Sequence, residues 1–544
     1  MLEKLHDKLG LRTNPVIFFV SAGLTALFVT VTIAFTGPMD SLFGSMSDWI
    51  LDKLGWFYIL GVTTFLIFLI WIAVSRYGNV RLGGENERPE FSTPVWFAML
   101  FAAGIGTILM FWGVAEPVSH FANPPMQDVP PESVPAANQA MSFTLYHFGL
   151  HTWTIFCLPA LAFAYFIYKR GLPARVSSIF QPLLGDKIYG PIGRIIDITA
   201  VIGTIFGVAV SIGLGTLQIN SGLARLFGVS EGAVMQILII AVVSVIALIS
   251  VALGLSKGIK RLSNANIVMA IGLMVFVLVT GSTLYLTRGI IETTGNYLSS
   301  IVPLSFWNDT FGNTGWQGGW TVFYWAWTIT WSPFVGIFIA RISRGRTIRD
   351  FIRGVLFLPT AFSIIWYAIF GYSAFDIERN GSGGLVDEVV NNGDIPGALF
   401  AFLENFPWAM VMSTLAVILV VIFFTTSMDS AALVVDMLCT GESEPGPTRQ
   451  RVFWAIAIGI VAGTLLAATG QGGLEALQQV ITVIGLPFFV IAFLMMFNLI
   501  RALREDTAEF LPNTKTNGKG KSDSADGDAV AAERGAKGET AAVD

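Results

Sequence analysis

Charge is scarce in this chain. Among 544 residues, 13% are Asp, Glu, Lys or Arg and 54% are hydrophobic, whereas soluble domains devote about a quarter of their residues to charge. With a mean hydropathy of +0.67, a soluble fold of this length is excluded and the chain belongs in a bilayer. Cysteine is nearly missing: Cys157 and Cys439 lie in or beside apolar stretches, so no disulfide is expected. No nucleophile stands beside a base and no metal-ligand spacing occurs at depth, which argues against an enzyme and against a cofactor. A formal charge of -5 names no partner, and the lack of a basic, aromatic-rich stripe speaks against nucleic acid. Residues 1–14 lack the order of charged, apolar and small residues that a secretory signal requires, so the first apolar stretch is expected to stay as an anchor.

What the chain has instead is long apolar runs. A span needs roughly 20 mostly apolar residues, because without water every backbone N–H and C=O must find its partner inside the helix. Twelve stretches meet that demand, near 15–36, 56–75, 94–115, 143–168, 195–226, 232–254, 264–287, 317–341, 351–373, 401–437, 451–469 and 476–501. The fold class that follows is an all-α integral membrane protein with 12 transmembrane helices. Basic loops stay on the cytoplasmic side, and Lys and Arg alternate cleanly. They precede the first span and follow spans two, four, six, eight and ten, while the segment 116–142 holds Glu116, Asp128 and Glu132 and neither Lys nor Arg. Both termini are therefore expected in the cytoplasm, and segment 116–142 is read as an outer loop.

Residues 288–306 are too polar to span and are read as a helix along the membrane surface. Beyond residue 511 aromatics almost vanish and Lys, Gly, Ser, Asp, Glu and Ala dominate, the composition of a disordered tail. Glycine or proline at membrane depth is the sharper signal, since unwound backbone survives there only inside protein or beside water. Span three carries Gly104 and Gly106 mid-membrane, and span eight carries Pro333 and Gly336, five spans later. Interrupted helices at matching positions in two halves point to a transporter site, and a repeat of odd span number inverts its orientation. The expected organisation is a cytoplasmic N-terminus (1–14), two accessory spans (15–90), a first five-span repeat (91–287), an interfacial segment (288–316), a second five-span repeat (317–501) and a cytoplasmic tail (502–544).

Span eight is dense in aromatics. Trp327 and Trp331 share a helical face four residues apart, with Phe323 one turn earlier and Phe334 nearby. Span four adds Tyr146, Phe148, Trp153 and Phe156. A quaternary ammonium has no N–H to donate and no proton to lose, so ring faces are its cheapest desolvated partners, each worth about 0.5–2 kcal/mol. Tryptophans of a membrane interface mark span ends, whereas Trp327 and Trp331 lie in the middle third. The paired interruptions of spans three and eight and the hydroxyls of span ten favour a carrier for a quaternary ammonium solute over a channel or receptor using the same rings.

The segment TVFYWAWTITWSPFVGIFIARISRGRTIRDF resembles the signature of the betaine/choline/carnitine transporter family, as does FWGVAEPVSHFANPP after span three. The resemblance covers roughly residues 10–500. It implies a LeuT-like 5+5 inverted repeat over spans 3–12 behind two extra N-terminal spans, a homotrimer, and a place in the bacterial plasma membrane. Carried over by position, it puts a substrate site at Trp327 and Trp331, with Phe323 beside them and the backbone of Gly104, Ile105 and Gly106 facing the carboxylate or hydroxyl end, close to Ser211. Exposed N–H groups at a helix break suit an anion. The family's aromatic box maps onto Phe148, Trp153, Phe156 and Thr328. This chain departs there: Phe148 and Thr328 stand where Trp is usual, and Phe156 where Tyr is usual.

In span ten the run FFTTSMDS sets Phe423, Thr426 and Ser427 on one face. By resemblance their carbonyl and hydroxyls, with the carbonyls of Ala102 and Ile105, hold a coupling sodium ion. A second family sodium site maps onto Thr204, Val208 and Phe334, and Val208 carries no oxygen. Proton coupling, the rival, needs an ionisable group at depth. Spans three and eight have none in their centres, Ile108 stands where proton-linked relatives can carry Asp, and a helix-facing hydrogen bond is the expected role of His147 and His151. Asp429 is expected at the cytoplasmic gate, and the arginines at 341, 344, 346 and 349 at the end of span eight, near lipid headgroups.

Overall fold

A computed structural model of the chain describes residues 2–104, 106–126, 128–253, 256–442, 446–467 and 473–510. Among the described residues the chain is helical, with one isolated β-bridge between Arg81 and Thr347. Eleven helices among the described residues are long and apolar enough to cross a membrane. The tail beyond residue 510 lies outside the described residues, and the chain divides at Ala502/Leu503 into a large unit and a small terminal one.

The helix boundaries follow local chemistry. Asn14 accepts from the amides of Val16 (3.1 Å) and Ile17 (3.2 Å), capping the helix Pro15–Ala34, whose first residue, a proline, has no N–H to satisfy. Gly441, in the left-handed region at φ 75°, closes Ala409–Thr440 by donating to the Met437 carbonyl. Gly281 and Ser282 end Ser256–Thr280 before position 287, and the helix expected over 288–306 begins earlier, spanning Thr283–Phe306.

The third apolar stretch is indeed interrupted. It forms two helices, Thr93–Gly104 and Thr107–Ala122, neither long enough to cross alone, with Gly106 extended between them (φ -135°, ψ -149°). Span four is interrupted as well, which its residues did not announce. Gly149 separates Val134–Phe148 from Leu150–Phe163, and the Tyr297 hydroxyl accepts from the Leu150 amide at 3.0 Å. A Cβ at Gly149 would lie 2.6 Å from that hydroxyl.

Span eight corrects an expectation. Phe323–Ile342 runs unbroken through Pro333 and Gly336, preceded by a π-helical turn, Gly318–Val322. Proline lacks the N–H that should reach Ile329, and the Ser332 hydroxyl supplies the missing donor at 2.7 Å. Gly336 serves close packing: a Cβ there would meet Phe163 at 3.2 Å and the Ala160 nitrogen at 3.3 Å. The matched pair of broken helices is therefore absent at these positions.

The loop after span eight is bolted to the segment after Thr36–Val74. Leu82 donates its amide to the Arg346 carbonyl (2.8 Å), Gly345 to the Leu82 carbonyl (2.6 Å) and Ile348 to the Val80 carbonyl (2.9 Å). Arg349 donates to the Ala73 carbonyl at 2.8 Å, and the Arg346 guanidinium sits 4.0 Å from the Trp96 ring centroid. These arginines tie protein segments together.

Replacing Ser332 by alanine is expected to leave the buried Ile329 carbonyl unpaired and to lower stability by about 1–3 kcal/mol. Thermal unfolding of the purified protein in detergent checks this; an unshifted midpoint would show that the hydroxyl is dispensable at Pro333.

Candidate functional site

Rings line the helix Phe323–Ile342 on the side facing Leu150–Phe163 and Pro191–Phe227. Trp327 and Trp331 are buried, 2% and 4% exposed. Phe323 stacks on Trp327 with centroids 5.8 Å apart and planes at 15°. Trp331 meets Phe156 edge-on at 5.8 Å and Phe334 at 5.6 Å, and Phe156 meets Trp153 at 5.7 Å. Trp153, Phe156, Trp331 and Phe334 thus form one run of rings. Thr328 and Phe148 make further contacts. The Thr328 hydroxyl bonds to the Tyr324 carbonyl at 2.5 Å, and Phe148 packs on Tyr324 (5.0 Å) and Tyr367 (4.8 Å, 17°), rings the sequence did not single out.

The two tryptophans differ in their polar ends. Trp327 Nε1 donates to the Ser211 hydroxyl at 3.1 Å and the Gly207 carbonyl at 3.2 Å, so its ring orientation is set by Pro191–Phe227. Ser211 in turn donates to the Gly207 carbonyl at 3.1 Å. Trp331 Nε1 is buried and has no hydrogen-bond partner among the described residues. Gly207 makes the approach of the two helices possible: a Cβ there would fall 2.7 Å from Thr330 Oγ1 and 3.1 Å from the Trp331 backbone nitrogen.

At the break in span three, Thr107–Ala122 starts without a side-chain cap, leaving its first amides without partners of that kind. Gly104 ends the preceding helix, Gly106 is buried between the two, and Ile105 lies outside the described residues. Ala102 belongs to the same preceding helix. On Ala409–Thr440 the Thr426 hydroxyl bonds back to the Ile422 carbonyl at 2.9 Å and lies 3.2 Å from the Phe423 carbonyl. Ser427, one residue on, is half-buried, and Asp429 is buried. Thr204 bonds back to Ala200 at 2.8 Å, the ordinary habit of a hydroxyl in a helix.

A cluster of ionisable groups was missed. Glu116, assigned to an outer loop by its charge, lies within the helix Thr107–Ala122 and is fully buried. Its Oε1 lies 2.6 Å from His147 Nδ1 and 3.3 Å from His120 Nε2, and His147 Nε2 lies 2.8 Å from Thr321 Oγ1. Burying a carboxylate is costly unless donors meet it, and two imidazole N–H groups do so here. The signal was in the sequence: Glu116 and His120 are spaced i, i+4 and share a helical face. His151 reaches across to the Ser305 hydroxyl at 2.9 Å.

Residues 16–508 match the model of the betaine/carnitine/choline family of transporters. An ectoine/glycine betaine/proline transporter of Corynebacterium glutamicum is 50% identical over 92% of this chain and 82% of its own length. A glycine betaine transporter of Acinetobacter baylyi is 45% identical over 91% of this chain and 74% of its own. The high-affinity choline transport protein of Escherichia coli is 39% identical over 93% and 74%.

Gly207→Ala is expected to cost about 1–3 kcal/mol by overpacking against Thr330 and Trp331. Gly23→Ala, whose Cβ would meet nothing within 4 Å, is expected to be neutral or to gain up to about 1 kcal/mol. Unfolding midpoints of the two variants read this directly, and equal midpoints would remove Gly207 as the residue that sets the helix approach.

Proposed function

This chain belongs to the betaine/carnitine/choline family of transporters, and we propose that it is a secondary active importer of a quaternary ammonium compatible solute, glycine betaine first and choline next. The observation that carries this reading is the buried aromatic run of Trp153, Phe156 and Trp331 beside the stacked pair Phe323 and Trp327. The rings take the cation, which water and hydrogen bonds cannot hold at lower cost in a dry site. The uncapped amides at the start of Thr107–Ala122 face the carboxylate of betaine or the hydroxyl of choline. Trp331 Nε1, buried without a partner among the described residues, is a further donor for that end. The relatives' names support a solute of this class, and the one that also names ectoine and proline agrees with a box thinned at Thr328 and Phe148.

Sodium is the proposed coupling ion. Phe423, Thr426 and Ser427 supply oxygens from Ala409–Thr440, and the carbonyls of Ala102 and Ile105 the rest. Neutral oxygens replace a hydration shell without a buried charge, and Thr426 Oγ1 and the Phe423 carbonyl already lie 3.2 Å apart. In this reading the two interrupted halves of span three complete twelve spans, spans 3–12 form an inverted five-plus-five repeat that rocks between inward-open and outward-open states, both termini are cytoplasmic, and three copies assemble in the cell membrane. The buried Glu116–His147 pair supports proton coupling as the second reading.

Uptake of labelled glycine betaine into proteoliposomes is expected to be concentrative under an inward sodium gradient and to collapse to equilibration without it. Accumulation under a proton gradient alone would transfer the coupling role to the second reading, and ligand binding without accumulation under either gradient would refute transport. Trp331→Leu is expected to weaken betaine binding at least tenfold, the equivalent of about 1.4 kcal/mol of cation–π energy. Unchanged affinity would take Trp331 out of the site.

A further inference from the structure

We propose that Glu116, His120 and His147 form a binding site for a divalent transition-metal ion of the zinc class. One carboxylate and two imidazoles are the donor set of many zinc sites that keep a fourth position open. The three donor atoms lie within 4.8 Å of one another, all on fully buried side chains. Metal–ligand bonds of about 2.0–2.1 Å in tetrahedral geometry place neighbouring donors about 3.3 Å apart. Here Glu116 Oε1 is 3.3 Å from His120 Nε2 and 2.6 Å from His147 Nδ1. A small rotation of His147 away from the carboxylate opens the cradle, and the metal takes the place of the two N–H donors as each neutral imidazole moves its one proton to its far ring nitrogen, His147 to Nε2 facing Thr321 Oγ1 and His120 to Nδ1, with no net proton release.

The surroundings suit a ligated metal. Thr321 Oγ1 holds His147 Nε2 at 2.8 Å, which leaves Nδ1 to face the site, the kind of outer partner that fixes a ligating imidazole. The Tyr324 hydroxyl faces the Glu116 carboxyl, and among the described residues His120 Nδ1 is buried without a hydrogen bond, so part of the cluster's bonding capacity is unused. Rings wall the site off: Trp320 lies 4.5 Å from His120, and Trp316 lies 5.0 Å from His120 and 5.9 Å from His147.

The donors come from two helices, Thr107–Ala122 and Val134–Phe148, and the outer partner from the π-helical turn that leads into the aromatic helix. A bound metal therefore staples the three together. Tyr324 continues the link: its ring is 4.9 Å from His147 and 5.2 Å from Phe323, which stacks on Trp327. Resting on the alternating-access reading above, the consequence is that zinc arrests the cycle and inhibits uptake.

The test uses the purified full chain, freed of any histidine tag and carrying His6→Asn to remove the half-buried N-terminal imidazole. Titration with Co²⁺ is expected to give the absorption bands of a tetrahedral ion at one equivalent, displaced by Zn²⁺. His120→Gln is expected to weaken binding at least tenfold, and Thr321→Val, which removes only the outer partner, by about tenfold or more. No stoichiometric binding at about 100 µM metal, or equal affinity in both variants, would overturn the site and leave the cluster as a hydrogen-bonded network. If His120→Gln fails to fold, Thr321→Val carries the test alone. Metal binding without loss of uptake would overturn the staple. Metal binding by a protein that accumulates no solute would count against the transport reading while supporting the site.

Discussion

In hydrocarbon an unpaired backbone N–H or C=O costs several kcal/mol, and the departures from regular helix in this chain are arranged around that cost. Pro333 withholds a donor from Ile329, and the hydroxyl next to it in sequence fills the gap. Gly149 interrupts a helix, and a tyrosine from Thr283–Phe306 accepts the amide that follows. At the break at Gly106 the following helix also starts with no side-chain cap. Where the backbone is left open in a membrane protein, something else must complete it, and that is why the ligand reading joins this break to the aromatic run.

The ring geometry gives the site its division of labour. Trp327 has its indole N–H engaged by Pro191–Phe227 and its face stacked on Phe323, so it is a wall whose position is settled by the fold. Trp331, which meets Phe156 edge-on and Phe334 at a tilt, has an N–H with no partner among the described residues. Neither role depends on the box positions Phe148 and Thr328, which the fold turns toward Tyr324.

Much of this was legible from residue order alone. Apolar runs located the helices because hydrocarbon leaves backbone no alternative, and the i, i+4 spacing of Trp327 and Trp331 placed them on one face. Pro333 misled because a proline announces a missing donor but not whether a neighbouring hydroxyl replaces it. Gly149 stayed silent because its partner, Tyr297, is remote in sequence. Glu116 was misplaced because a lone carboxylate in sequence reads as solvent-facing, and only the fold shows His147 arriving from another helix to pair with it.

The backbone bonds between residues 80–82 and 345–348, reinforced by Arg349 on the Ala73 carbonyl, have a mechanical meaning. The turn leaving the aromatic helix is not a free hinge, because pivoting there would break several paired groups at once. Any shift of that helix end must carry the end of Thr36–Val74 with it, so the two helices share one anchor and a load on either is borne by both.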